Sequence, residues 1–160
     1  MMADPLAARF IGGVAERAVV WRQLCAMAGA WSIAGCSMFS VVEKSTGRWI
    51  GRLGPWTPAD WPGTEVGWAL AREAWGKGLA TEGAAAAMDY AVDVLGWSEI
   101  IHCVDPENLA SAAVARRLGS TSLRTHRFQA PFNVEVDVWG QPAEAWRARR
   151  RQRCARSELA

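Results

Sequence analysis

Apolar side chains at Val20, Leu24, Met27 and Trp31 recur at i, i+4, i+7 and i+11, one face of a helix, and predict a helix starting near Ala15. The stretch from Cys36 to Glu43 is rich in Met, Phe and Val. It is broken by Lys44-Ser45-Thr46-Gly47 and resumes from Arg48 to Trp56, which predicts a β-hairpin. Pro58 and Pro62 exclude regular structure between Trp56 and Gly63, and Thr64 to Leu70 reads as a third strand. After a glycine-rich stretch, Arg72 to Ala80, comes a helix whose buried face is expected at Ala80, Ala84, Ala87, Met88, Ala91 and Leu95, with Gly96 as its stop. Glu99 to Val104 forms an apolar strand. Asp105-Pro106-Glu107-Asn108 breaks it before a short helix carrying Ala110, Val114 and Leu118, closed by Gly119. Thr121 to Phe128 and Phe132 to Trp139 read as two strands joined at Pro131, the second alternating through Asn133-Val134-Glu135-Val136-Asp137-Val138. Strands interleaved with helices in this order imply an α/β domain.

Composition narrows the class. A chain of 160 residues, 51% hydrophobic and 21% charged with a net charge of +2, fits one globular domain that buries enough surface without disulfides or a structural metal. No apolar run is long enough to span a bilayer, and Met1-Met2-Ala3-Asp4-Pro5 lacks the basic-then-apolar pattern of an export signal, so a soluble, cytoplasmic protein is expected. Cys25, Cys36, Cys103 and Cys154 are scattered without metal-ligand spacing, which predicts reduced, mostly buried thiols and no metal site. Residues 1–140 carry a charge balance of −2 and residues 141–160 one of +4. The basic segment, with Arg147, Arg149, Arg150, Arg151, Arg153 and Arg156, is expected to be a solvated helix or a frayed tail outside the core. Weak contact with RNA, a ribosome or an acidic partner would run through it. Among ten tryptophans, Trp21, Trp31, Trp49 and Trp97 fall at expected core positions. Trp56 and Trp61, in the proline-interrupted loop, either wall a pocket or pack over the loop.

The chemical signal is Trp75-Gly76-Lys77-Gly78-Leu79-Ala80-Thr81-Glu82, between a strand and a helix. Glycines there permit positive φ and close backbone approach, so successive amides can converge on an anion at the positive end of the helix. The P-loop spacing is absent, and Thr81 stands where a dinucleotide fingerprint needs its third glycine. Lys77 is the loop's only cation, suited to a phosphate or to plain solvent.

These residues resemble the GCN5-related N-acetyltransferase (GNAT) superfamily, whose Gln/Arg-x-x-Gly-x-Gly/Ala signature would be Trp75-x-x-Gly78-x-Ala80 here. Trp-Gly-Lys/Arg-Gly-x-Ala-Thr-Glu is the form of the branch similar to ribosomal-protein alanine N-acetyltransferases. Glu65-Val66-Gly67-Trp68 upstream and Pro106-x-Asn108-x-x-Ser111 with Leu118-Gly119 downstream match that branch in order across residues 4–140. The resemblance implies a mixed, mostly antiparallel sheet flanked by helices and splayed between the fourth and fifth family strands. It implies acetyl-coenzyme A as co-substrate, its pyrophosphate on the amides from Gly76 to Thr81, its pantetheine arm beside the backbone of Trp68, Ala69 and Leu70, and Asn108 bonded to that arm.

Acetyl transfer to an amine, whether a protein N-terminus or a small amine, needs a neutral amine, a stabilised oxyanion and a proton for the departing thiolate. No Ser or Cys lies beside a His in a nucleophile motif, so direct transfer in a ternary complex is expected. Glu65 is the candidate base, its ordinary alternative being a solvated strand-end carboxylate. The amide of Ala69 or Leu70 would meet the oxyanion. Many family members carry a tyrosine as thiolate acid where this chain has Ala115. Ser111 takes that role by resemblance to the alanine N-acetyltransferase-like branch, with a helix-start hydroxyl bonded to nearby backbone as its alternative. His102 and Cys103, adjacent on a strand, face opposite ways and make no metal pair; a satisfied histidine is expected. The family's first strand and helix are missing before Asp4-Pro5-Leu6-Ala7-Ala8-Arg9-Phe10. Either the start is mis-assigned or a partner, such as a second copy in a homodimer, covers the exposed sheet edge. The missing tyrosine and the shortened acceptor side also suit a non-catalytic acyl-coenzyme A-binding module.

Overall fold

The computed structural model describes residues 1–130 and 132–157. Six strands form one sheet in the order β1-β2-β3-β4-β6-β5. They are β1 (Phe39–Val42), β2 (Trp49–Trp56), β3 (Glu65–Leu70), β4 (Glu99–Val104), β5 (Thr121–Arg127) and β6 (Glu135–Pro142). Helices α3 (Leu79–Asp93), α4 (Leu109–Leu118) and α5 (Ala143–Ser157) pack against it, and α1 (Pro5–Ala8) and α2 (Arg17–Ile33) precede it. Every pairing is antiparallel except β3 with β4, which are parallel and share one register pair, Glu65 with Ile101. Both strands that border the site are thus central, and they part after a single contact.

The core explains why α3 is so rich in alanine. Ala84, Ala87, Met88, Ala91 and Val92 are buried against Leu53, Val66, Ile100, Val114 and Leu118. The short side chains bring the helix axis close to β2 and β3, and Gly83 has no room for a Cβ because the Leu53 side chain occupies it. Gly119 closes α4 in the left-handed conformation at φ 93°, the position where a helix most readily accepts glycine. The expected β-hairpin, third strand, central helix and following strand are all present. The last strand starts later than expected, at Glu135, and runs on to Pro142. Ala110 is exposed on α4, whereas Val114 and Leu118 are buried. Pro131, the expected joint between the last strands, lies outside the described residues.

Two expectations are corrected. The helix near Ala15 forms as α2, but none of its residues is buried. Trp21 is 64% exposed, Trp31 36%, and Trp49 on β2 43%, so these three tryptophans are not core; Trp97 does pack against the main cluster. Periodicity reports the face a helix is able to bury, and α2 buries its stripe only in part: Val20 and Met27 are half-buried, Leu24 stays exposed, and Trp31 meets Phe39 at 5.3 Å. Cys25 on α2 is likewise exposed, against the expectation of mostly buried thiols, while Cys36 is buried.

The basic segment is the second correction. From 141 onward the chain first completes β6, and Ala143 and Trp146 then enter the main core, with Trp146 fully buried. Trp146 Nε1 donates to Asp89 at 2.8 Å, and Arg150 bonds both Asp89 and Asp93. Arg147 and Arg149 donate to the carbonyls of Val92 and Arg117, and Arg153 lies 4.9 Å over the Trp146 ring. The arginines therefore clamp α5 to α3 and α4, because their long stems reach the acidic side of α3 while one tryptophan supplies the apolar anchor. Residues 158–160 and the side chains of Cys154 and Arg156 lie outside the described part. Trp146→Ala should lower unfolding stability by about 3–5 kcal/mol in urea titrations, the cost of emptying a fully buried aromatic site. A loss under about 1 kcal/mol would mean α5 docks without it.

Candidate active site

The parting of β3 and β4 follows from which groups spend the backbone's hydrogen bonds. Ile101 N–H still donates to Thr64 C=O at 2.9 Å. Beyond that point side chains take over from the ladder: Cys103 N–H donates to Glu65 Oε1 at 3.0 Å, and His102 Nδ1 bonds Val66 C=O at 2.7 Å. Buried amides and carbonyls must find partners, and here the Cys103 amide and the Val66 carbonyl each find a side chain instead of the facing strand, so the strands part at these two groups without leaving either unpaired.

Strand alternation tells which backbone groups face the gap. Ala71 N–H donates to Ile50 C=O at 2.8 Å, and the β2–β3 register pairs Ala69 with Arg52 and Gly67 with Gly54. Hydrogen-bonded pairs recur at every second residue, so the Ala69 amide is turned to β2, and the backbone groups of Trp68 and Leu70 turn toward β4. Of the two amides expected to meet an oxyanion, only that of Leu70 looks into the gap. Trp75, which replaces a polar residue of the superfamily signature, has a structural use: its indole N–H donates to Leu70 C=O at 2.9 Å and ties the glycine loop to the end of β3. Strand-end spacing alone gave no signal for that bond.

The loop itself has the expected form. Gly76 and Gly78 hold φ values of 72° and 78°, and open space surrounds the position of a Cβ at each. Gly78 is the N-cap of α3 with no side chain to satisfy the first turn, so the amides of Leu79, Ala80 and Thr81 point outward from the positive end of a 15-residue helix. Lys77 is exposed beside them. This donor set fits an anionic phosphate group. Asn108 caps α4: its Oδ1 accepts from Ser111 N–H at 3.1 Å, leaving its Nδ2 as the donor free of protein partners among the described residues. Ser111 Oγ accepts from Trp68 Nε1 at 3.2 Å. The Asp4 segment lies across the C-terminal ends of the parted strands, with Asp4 paired to Arg72 and Arg9 to Glu107.

Glu65 is not the solvated carboxylate that its strand-end position suggested; it is 6% exposed. The Trp61 indole donates to its second oxygen and packs on Phe128 at 4.5 Å, so the loop of Pro58 and Pro62 covers the carboxylate. Burial raises its pKa from 4.5 to about 7 against the pull of the Cys103 and Trp61 N–H donors. Of the two loop tryptophans, Trp61 is therefore the one at the site. His102 is the satisfied histidine expected. Val66 C=O can only accept, so Nδ1 carries the proton, and Nε2 takes the Ser120 hydroxyl at 3.1 Å; Gln141 donates to Ser120 in turn at 3.0 Å. Burial lowers the His102 pKa from 6.5 to about 4. Burial also pushes the Cys103 thiol well above its usual range, beside Glu65. Ala115 is fully buried, so a tyrosine at that position would not fit. Among the described residues there is no cluster able to hold a metal ion and no helix long and apolar enough to cross a membrane.

Residues 1–121 match the family model for the acetyltransferase (GNAT) domain. The chain belongs to the GNAT acetyltransferase family. The uncharacterized protein YkkB of Bacillus subtilis (strain 168) is 33% identical over 95 residues, 58% of this chain, and the matched stretch spans 55% of that relative's length. Among solved structures, an acetyltransferase from Agrobacterium tumefaciens str. C58 superimposes with a TM-score of 0.76 at 29% identity, covering 88% of this chain and 80% of that one. A ribosomal-protein-S5-alanine acetyltransferase from Vibrio fischeri shares the fold at a TM-score of 0.64 and 20% identity, over 78% of this chain and 71% of its own. The six-stranded sheet with its single parallel step is the GNAT sheet, and the family acetylates by way of acyl-coenzyme A.

Glu65 and His102 load stability in opposite directions. A carboxylate raised from 4.5 to about 7 contributes stability that is full below pH 4.5 and lost as pH rises through 7. A histidine lowered from 6.5 to about 4 contributes stability present above pH 6.5 and lost as pH falls through 4. The two windows overlap and cancel. In Glu65→Gln the histidine slope should stand alone, with stability falling by about 3 kcal/mol between pH 6.5 and 4 in chemical denaturation, against a nearly flat wild type. Parallel pH curves for the two proteins would disprove the opposed loading.

Proposed function

We propose that this GNAT chain moves an acetyl group from acetyl-coenzyme A to a primary amine, a protein N-terminus or a small amine, by direct transfer in a ternary complex. The observation that carries the reading is the open gap between β3 and β4, with the capless start of α3 at one end and the buried Glu65 at the other. The amides from Gly76 to Thr81 hold the pyrophosphate, with Lys77 as an added charge. The backbone of Trp68 and Leu70 and the Nδ2 of Asn108 bind the pantetheine arm. Acetyl-coenzyme A supplies the activated thioester. Leu70 N–H meets the oxyanion, and Ser111 gives its proton to the thiolate.

Glu65 serves as base. The carboxylate is buried beneath Trp61, so the amine proton reaches it through a water. Its pKa of about 7 suits a group that must take a proton near neutrality and release it again. The side of the gap occupied by Glu65 is walled by Trp61 and Phe128, and it is the side from which the amine enters. The open β1 edge and the uncovered side of α2 support pairing of two copies there. RNA contact loses support, because Arg147, Arg149, Arg150 and Arg153 are engaged within the domain.

Isothermal titration with acetyl-coenzyme A tests the donor. Binding should be saturable in wild type and abolished in Gly78→Trp, whose side chain fills the approach to the amides; equal affinity in the two would reject the loop as the phosphate site. Thiol release with an amine panel tests the chemistry, and a protein that binds the donor yet releases nothing with any amine is a binding module. Glu65→Gln should lower kcat/KM by about 10² or more and remove the ascending limb of the pH profile near 7, with donor affinity retained. An unchanged profile would take the base role away from Glu65.

A further inference from the structure

Ser111 enters the proposed mechanism as the proton donor to the thiolate, but a serine hydroxyl rotates freely and can as well turn its hydrogen to a backbone carbonyl. The structure holds it otherwise. Trp68 Nε1 approaches Ser111 Oγ at 3.2 Å, and an indole nitrogen is a donor only. The serine oxygen must therefore accept in this bond, and its own hydrogen is left pointing elsewhere, with no protein acceptor among the described residues. Ser111 stands at the third position of α4, where its N–H is already taken by the Asn108 cap, so the side chain is fixed from both ends.

The indole is itself fixed. It packs against both the main core and the smaller cluster of Val104, Ala112, Ala115 and Trp139. Its ring lies 4.9 Å from that of His102, whose two nitrogens are both committed, one to Val66 and one to Ser120. We infer that Trp68 is a positioning residue: its indole N–H occupies a lone pair of Ser111 Oγ and aims the serine O–H into the gap, at the sulfur of the leaving thiolate. Accepting one hydrogen bond also polarises the hydroxyl and makes it a better donor of the next. This role rests on the acid function proposed for Ser111. In the step concerned, the amine nitrogen forms the C–N bond and the C–S electron pair leaves on sulfur. The serine proton follows it, and the serine oxygen regains a proton from solvent while the amine proton leaves through Glu65. The backbone of Trp68 faces the same gap, so one residue would serve the pantetheine arm with its main chain and the acid with its side chain.

Trp68→Phe keeps most of the ring and removes the N–H. With acetyl-coenzyme A it should lower kcat about five- to tenfold, the net worth of one ordinary hydrogen bond, with KM little changed. The defect should shrink with a donor whose thiol has a lower pKa, and Trp68→Phe should add nothing to Ser111→Ala in the double variant. A binding measurement stands beside the kinetics. The thiolate absorbance of bound free coenzyme A, taken against the desulfo analogue, should titrate at higher pH in Trp68→Phe and in Ser111→Ala than in wild type. The indole N–H resonance of Trp68 should also move in Ser111→Ala, a result that does not depend on how well the tryptophan variant folds. If Ser111→Ala slows turnover and raises the thiol pKa while Trp68→Phe does neither, the positioning role is wrong and the acid role stands. If Ser111→Ala itself changes neither, both are wrong. An indole resonance unmoved by Ser111→Ala would show that the hydrogen bond is absent in solution and would also overturn the inference.

Discussion

The site depends on a substitution of partners at two backbone groups. Where a parallel ladder would have continued from Glu65 and Ile101, the Cys103 amide is taken by the Glu65 carboxylate and the Val66 carbonyl by the His102 ring. Each side chain is buried, so neither bond competes with water, and breaking either would strand a polar group in the interior. The gap between the strands is therefore a stable feature of the fold and needs no ligand to wedge it. Glu65 is bound twice over to this arrangement, since the contacts that keep the strands apart also bury the carboxylate and lift its pKa into the neutral range.

That coupling explains why some of the molecule was legible from its residues and some was not. Period-two and period-3.6 patterns recovered the hairpin, β3, α3, β4 and α4, because each buries one face against the same sheet. The glycine loop was legible for a different reason: positive φ at Gly76 and Gly78 is something only the composition of the loop could announce. Burial of Glu65 was not legible, since it comes from Trp61, four residues away across a proline-broken loop with no periodicity to follow. The bond from Trp75 to the Leu70 carbonyl and the bond from Trp68 to Ser111 depend on the strand-to-helix geometry, which spacing does not encode.

Two readings failed in instructive ways. The apolar stripe of α2 has the spacing of a buried helix face, yet no residue of that helix is fully buried and Leu24 and Trp31 in the stripe are exposed. The charge run after residue 140 looked like a solvated tail because six arginines outweighed one tryptophan in the composition. In space the tryptophan decides the matter: Trp146 is buried among Ala143, Ala91 and Leu118, and the arginines then serve as struts to α3 and α4. A single large aromatic residue outweighs several charges when the charges keep their heads at the surface.

The capping bond from Trp75 has a further bearing on how the open strands behave. Two unpaired strand edges inside one molecule are ordinarily a template for any extended peptide, and hence a route to aggregation. Here the template is defaced. The carbonyls of Val66 and Leu70 and the amide of Cys103 are all consumed by side chains, so the alternation of donors and acceptors that a foreign strand must match is broken along both edges. What is left is a short run at Trp68 and Leu70, enough to hold a slender arm with two or three polar groups and too little to nucleate another strand.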